Sequence, residues 1–342
     1  MSSVAASPTK AAVPGAVIAR RIAIGVAILA LIAAPYAIQQ VYYVNIASQI
    51  LLYAVFALGL NVLVGYAGLV SLGHAGLFGI AAYIDAYLLA AGHGHTVAIL
   101  AALAAALAGT AVFAALALRA TGISFIMITL ALGEIIWGLA YRWISITGGD
   151  NGISVSTRPA PFGLPLDSPR AFYDATLVVF LIAIAAVAIF VRSPFGAALC
   201  GSRDQPRRMN ALGYHVWMIR FWAFMFSGLL TAVAGILFVY YNEFISPQAV
   251  ALTASAEGLL MVISGGAGTL LGPVVGAALV VIVKNVVSAY ITRWNFMLGA
   301  IFVAIVVFMP EGLVPGAIRL TRSAWHATSR GKTSTVAAEA KR

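Results

Sequence analysis

Apolar residues run along this chain in long blocks separated by short polar or glycine-rich breaks. About 20 apolar residues are needed to cross a bilayer as a helix. Blocks of that order fall near Ile22–Ile38, Ile46–Val64, Gly73–Ala91, Val97–Leu118, Ile123–Trp143, Thr176–Val191, Trp217–Tyr240, Ser255–Ser264, Leu270–Tyr290 and Phe296–Met309. The pattern predicts an all-α, polytopic membrane protein of about ten transmembrane helices. The block at Ser255–Ser264 is short and also reads as a re-entrant loop, which would change the parity of the chain. Between the blocks, Gly92-His93-Gly94-His95 predicts a short exposed turn; two histidines alone do not make a metal site. The longer segment from Ile144 to Asp174 holds Thr147-Gly148-Gly149-Asp150-Asn151-Gly152 and Pro159, Pro161, Pro165 and Pro169, a density that predicts turns and no regular element.

Two of the apolar blocks are interrupted in the same way. Gly59 to Ala82 reads GLNVLVGYAGLVSLGHAGLFGIAA, with Gly65, Gly68, Gly73, Gly76 and Gly79 where backbones can approach closely. Asn61, Ser71 and His74 are polar groups that lipid cannot satisfy. A broken helix facing protein or a central path fits this mixture, although the glycines also suit tight helix packing alone. Gly258 to Gly276 reads GLLMVISGGAGTLLGPVVG. Laid over the first stretch, Gly59-Leu60 meets Gly258-Leu259, Gly65-Tyr66-Ala67-Gly68 meets Gly265-Gly266-Ala267-Gly268, and Leu72-Gly73 meets Leu271-Gly272 with one residue deleted. The pairing predicts an internal repeat with glycine-broken central helices, a pattern found at the substrate path of transporters. Gly65, Gly68, Gly73, Gly265, Gly266, Gly268 and Gly272 are the candidate gating glycines.

Composition agrees: 62% of residues are hydrophobic and only 9% charged, against about 25% charged in soluble domains. The net charge of +10 does not point to nucleic acid, because the basic residues lie in loops and tails. One cysteine, Cys200, excludes an intrachain disulfide and a cysteine-based metal site. Lys and Arg concentrate in an N-terminal arm (1–21), the turn at Arg119, the segment Arg192–Arg220 and a tail (317–342). With about ten crossings all four fall on one side, so the positive-inside rule predicts both termini cytoplasmic and a transmembrane domain over 22–316 in the plasma (inner) membrane. The Ile144–Asp174 segment and the loop Tyr241–Thr253 then fall outside, and both glycine breaks toward the inside.

Glu134 sits within the fifth block, beside a face carrying Thr129, Gly133 and Trp137 at i, i+4 and i+8. An ionisable residue inside a membrane is a functional candidate, and Lys284 is its candidate partner; a structural ion pair explains it equally. Asp85 and Glu257 read as near outer, hydrated helix ends. Asn61, Ser71, His74, Thr129 and Glu134 are the candidate path-lining residues. No catalytic constellation is present, and Gly331-Lys332-Thr333 lacks the glycine that a phosphate-binding loop needs at position 326, which is His. No cofactor or metal is called for. The chain works passively or from an ion gradient, with Glu134 carrying a proton in a self-sufficient secondary transporter or channel, or a separate subunit supplies the energy.

The basic loop at about 192–215 bears on that choice. Asp204-Gln205-Pro206 offers a capping residue ahead of a short helix that Leu212-Gly213 closes. Such a helix under the membrane is what a soluble partner can grip, or it only fixes topology.

GLNVLVGYAGLVSLGHAGLFGIAAY, ATGISFIMITLALGEIIWGLA, TGGDNGIS, SPFGAALCGSRDQPRRMNALGY and GLLMVISGGAGTLLGPVVGAAL, in this order, resemble the LivM-type permease subunits of branched-chain amino acid ABC importers, from about residue 45 to 316. The resemblance implies a permease, not an enzyme, working with a LivH-type second permease, two cytoplasmic ABC ATPase subunits and an extracytoplasmic solute-binding protein. It also implies that the loop helix docks on the ATPase, through Arg203, Asp204, Arg207, Arg208, Leu212 and Gly213. Relatives often carry an acidic residue near Asn210, so this chain departs from the pattern there.

Overall fold

In the computed structural model the described residues are 35, 40–155, 168–290, 294–309, 311–316 and 319. The N-terminal arm, the block at Ile22–Ile38 apart from residue 35, Pro159, Pro161, Pro165 and the tail beyond Arg319 lie outside them. Eleven helices order the described chain: α1 (Val41–Asn61), α2 (His74–Ala90), α3 (His95–Ala117), α4 (Ile123–Arg142), α5 (Pro169–Arg192), α6 (Pro194–Asp204), α7 (Pro206–Ala211), α8 (Val216–Asn242), α9 (Leu252–Gly265), α10 (Gly272–Tyr290) and α11 (Trp294–Phe308). Single helical turns at Ile144–Thr147, Gly149–Asn151 and Pro247–Val250 accompany them. Among the described residues five helices are long and apolar enough to cross a membrane, and α2, α9 and α10 are shorter apolar helices. Each falls on a block that the hydrophobic pattern singled out. The described residues are all-α apart from one two-stranded ribbon, and the protein is multi-pass.

Burial ranks the helices. Of the most apolar 18 residues in the α1 segment Val41–Ala67, 83% are buried within the protein, against 22% in α4. α1 is therefore the central post, packed by α5, α8, α9 and α10. On α4, Phe125, Thr129 and Gly133 face inward while Met127, Ile135 and Leu139 stay exposed. On α5, Val178, Ile182 and Ile189 do the same. An apolar face turned outward on helix after helix suits lipid and not water. α3 seats itself through Ala98, Ala102, Ala106 and Thr110, a four-residue stripe of small side chains that lets α2 and α8 approach closely.

Three expectations are corrected. α5 begins at Pro169, earlier than Thr176, because the Ser168 hydroxyl accepts the Ala171 N–H at 3.1 Å and Pro169 occupies the first helical position. The polar segment after α4 is not all turns: β1 (Ile153–Ser154) pairs antiparallel with β2 (Phe244–Ile245), so the two loops read as lying on one side do touch. In the basic loop there are two helices, not one. Ser193, whose hydroxyl accepts the Gly196 N–H at 3.2 Å, caps α6, and Asp204 ends it. The residue before α7 is Gln205, which makes no side-chain cap bond. Asp204 is not a cap because its carboxylate holds Arg203 Nε at 2.8 Å.

Candidate functional site

The chain descends α1, widens into a π-helical turn over Val62–Ala67, and stops at Gly68, whose φ of 68° is a left-handed conformation that suits glycine. It then runs as non-helical backbone to Gly73 before α2 begins at His74. His74 and the Gly59 carbonyl both bond to Ser227, so the chain has climbed back about two and a half turns along α1. The break predicted from the glycines is real, and its free backbone groups are met inside the protein.

Asn61, the last residue of α1, clamps this break to the second one. Its Nδ2 donates to the Thr269 carbonyl at 2.9 Å and its Oδ1 accepts the Gly268 N–H at 2.9 Å. A Cβ on Gly65 would collide with the Gly268 backbone nitrogen and with Asn61 Oδ1. Gly268, aligned with Gly68 in the sequence, is left-handed as well, at φ 77°. Gly265 and Gly272 pack so closely that a Cβ on either would overlap backbone, which folds α9 and α10 into a tight hairpin around Gly266 at φ 115°. Gly73 is pressed on the Thr129 carbonyl in the same way.

Ser71, His74, Ser227 and Gly59 form a one-way relay. The Ser227 hydroxyl donates to the Gly59 carbonyl at 2.6 Å, so toward His74 Nε2, 2.9 Å away, it accepts. His74 then carries a proton on Nε2, and in the neutral ring Nδ1 accepts the Ser71 hydroxyl at 2.9 Å. Thr129, also fully buried, takes the Leu72 N–H at 3.3 Å. Of the candidate path-lining residues, then, Asn61, Ser71, His74 and Thr129 gather around one break, each satisfied by protein groups. Glu134 is half-buried on α4. The expected Glu134–Lys284 pair is not formed: Lys284 Nζ lies 3.1 Å from Glu257 Oε2. The reading of Asp85 as hydrated is overturned too. It is fully buried on α2, and neither carboxylate oxygen finds a hydrogen-bond partner among the described residues.

Two features escaped the sequence reading. Arg203 Nη1 donates to the Gly65 carbonyl at 2.7 Å, tying α6 directly to the widened turn of the break. The neighbouring Asp204 carboxylate, through its hydrogen bond, raises the Arg203 guanidinium above its ordinary range. The other feature is a cavity of about 640 Å³ between α1, α2, α8, α9 and α10, walled by Phe56, Phe78 and Phe238 and containing Glu257 and Lys284. Its lining includes Ala75, whose N–H is held by Ser255 Oγ at 3.0 Å, one residue past His74. No single motif could disclose a cavity assembled from five helices. Beyond α6, α7 buries none of its residues; Arg207 and Arg208 are exposed, as are Leu212, at 67%, and Gly213, which turns the chain at φ 87°.

A family model described as branched-chain amino acid transport system / permease component matches residues 42–306. The high-affinity branched-chain amino acid transport system permease protein LivM of Salmonella typhimurium is 31% identical over 301 residues, covering 80% of this chain and 70% of the relative. LivM of Escherichia coli matches with the same identity and coverage. The autoinducer 2 import system permease protein LsrC of Yersinia enterocolitica is 29% identical over 161 residues, 43% of this chain and 45% of that protein. No solved structure matches the chain. With the broken central helix, the lipid-facing exterior and a match running from α1 into α11, the chain belongs to the branched-chain amino acid transport system permease component family, as a LivM-type member.

Proposed function

We propose that this chain is the LivM-type half of an ABC importer that moves a branched-chain amino acid, or a similar small polar solute, inward by alternating access. The transmembrane domain spans 22–316 in about ten crossings, with the arm 1–21 and the tail 317–342 on the cytoplasmic side. Asn61, Ser71, His74, Thr129 and Glu134 line or support the path. The two aligned glycine stretches are copies of an internal repeat and act as the moving joint. The left-handed backbone shared by Gly68 and Gly268, and the bonds from Asn61 at the first break to Gly268 and Thr269 in the second, favour that view.

One observation carries the reading. Arg203, on the connector 192–215, holds the carbonyl of Gly65 inside the central break. A partner that moves α6 and α7 therefore moves the break. Exposed Arg207, Arg208, Leu212 and Gly213 on and after α7 offer that partner, a cytoplasmic ABC ATPase, both charge and apolar surface. A LivH-type permease completes the conduit, a second ATPase pairs with the first, and an extracytoplasmic solute-binding protein delivers the solute.

The test is reconstitution. Proteoliposomes holding both permeases, both ATPases and the binding protein are expected to accumulate leucine only with ATP. The same vesicles holding this chain alone are expected to remain empty. Gradient-driven flux through the lone chain would overturn the reading in favour of a secondary transporter using Glu134. Retention of the ATPase and normal uptake after Gly213→Pro would remove the connector from the mechanism.

A further inference from the structure

Among its described lining residues, the cavity next to the break has one cation, Lys284, and one anion, Glu257. Lys284 Nζ sits 3.3 Å and 3.1 Å from the two Glu257 carboxylate oxygens. The two side chains retain 35% and 20% exposure, so the pair is reachable from the cavity and not sealed into the core. Three aromatic rings line the same cavity. The Phe56 and Phe78 rings meet edge to face with centroids 5.5 Å apart, and Phe78 and Phe238 do so at 5.3 Å. Gly258, the residue after Glu257, is pressed on the Phe56 ring with no room for a Cβ, so the acid is held close to that ring. A volume of about 640 Å³ lies within the range of ~300–1,000 Å³ common for small-molecule sites.

We propose that Glu257 and Lys284 are the polar end of a transit site for a zwitterionic α-amino acid whose apolar side chain rests on Phe56, Phe78 and Phe238. The inference rests on the permease reading above and names the chemistry of its solute contact. An α-amino acid at neutral pH presents a carboxylate and an ammonium on one carbon. As it enters, the pair opens: Lys284 turns to the carboxylate of the solute and Glu257 to its ammonium. One ion pair becomes two, and at no stage is a half-buried charge left alone, which is the step that makes ion-pair breakage expensive. A solute carrying a single charge, or none, can satisfy at most one partner and leaves the pair closed. Because solute must displace an existing ion pair, binding is weak, as a site that must release inward requires. The lining at Ala75 adjoins His74 and the glycine break, so the solute rests next to the joint.

The complete importer in proteoliposomes tests this, with ATP-dependent leucine uptake at saturating binding protein as the readout. Glu257→Gln and Lys284→Met are each expected to lower uptake at least about tenfold, with ATP hydrolysis stimulated by the binding protein retained. The decisive variant is the double substitution. If the pair only staples α9 to α10, removing both charges together removes the mismatch that each single substitution creates and restores uptake; if it reads the solute, uptake stays low. Wild-type uptake by the double variant overturns the inference while leaving the permease reading intact. Absence of ATP-dependent uptake in the unsubstituted importer overturns that reading instead. A second measurement needs no mutation: a leucine analogue with an aliphatic diazirine, photolysed in the unsubstituted importer during turnover, is expected to label the segments holding Phe56, Phe78 or Phe238. Labelling confined to other segments overturns the site.

Discussion

Arg203 donates from Nη1 to the Gly65 carbonyl at 2.7 Å, while its Nε is held by Asp204 at 2.8 Å. The two residues lie 138 positions apart in the sequence, one on the basic connector and one in the widened turn that ends the central helix. A hydrogen bond with one charged partner is worth about 1.5–3 kcal/mol, which is roughly ten- to a hundredfold in an equilibrium. Arg203→Ala is therefore expected to lower solute moved per ATP hydrolysed by at least about tenfold, with the ATPase still bound. Asp204→Lys removes the group that aims the guanidinium and is expected to act in the same direction. Uptake per ATP equal to wild type in both variants would show that the contact transmits nothing.

Asn61 is used at both ends of its amide, as donor to Thr269 and acceptor from Gly268. Asn61→Leu takes the side-chain partner from a part-buried carbonyl and a part-buried N–H, at up to about 1–3 kcal/mol each. Asn61→Asp keeps the acceptor and loses the donor. The expected order of thermal stability in detergent is wild type, then Asp, then Leu. A leucine variant melting with wild type would mean that the two breaks do not depend on this clamp.

Close backbone approach and plain flexibility can be told apart among the glycines. Gly65 has no room for a methyl group, because the Gly268 backbone and Asn61 Oδ1 already fill the space. Gly138, on α4, has nothing within 4 Å of where a Cβ would stand. Gly65→Ala is expected to lower the melting temperature by several degrees and to reduce uptake. Gly138→Ala is expected to be neutral or slightly stabilising, by up to about 1 kcal/mol, from better helix propensity. Equal behaviour of the two alanines would refute the packing argument for Gly65.

The helices were legible because a span in lipid must satisfy its own backbone and present apolar side chains outward, and both demands are local. The break at Gly68 was legible for the same reason: glycine and polar residues inside an apolar run conflict with a plain span. What periodicity could not supply was pairing between distant segments. Lys284 met Glu257, 27 residues back, and not Glu134; only the α9–α10 hairpin decides that, and the hairpin depends on Gly265 and Gly272 packing at contact. The Arg203–Gly65 bond was hidden similarly, since an arginine in a basic loop reads as topology until the loop is folded. Asp204 misled because a carboxylate before proline resembles a cap, while the adjacent guanidinium holds it more strongly.

Asp85 was misplaced by the same locality, since its position near one end of an apolar block suggests water, whereas α2 is enclosed along that side by α3 and α8. Its carboxylate is fully buried with both oxygens unpartnered among the described residues. An ionised carboxylate without donors is among the most costly groups to bury. Asp85→Asn keeps the shape and removes any charge, so the purified chain is expected to melt at the same temperature or a few degrees higher. In the assembled importer the same comparison asks a further question. If assembly brings a donor to the carboxylate, the asparagine variant loses that bond and melts lower there, although it gains or stays level in the lone chain. A lower melting temperature in both settings would show that the carboxylate is already paired within this chain, against its two unpartnered oxygens.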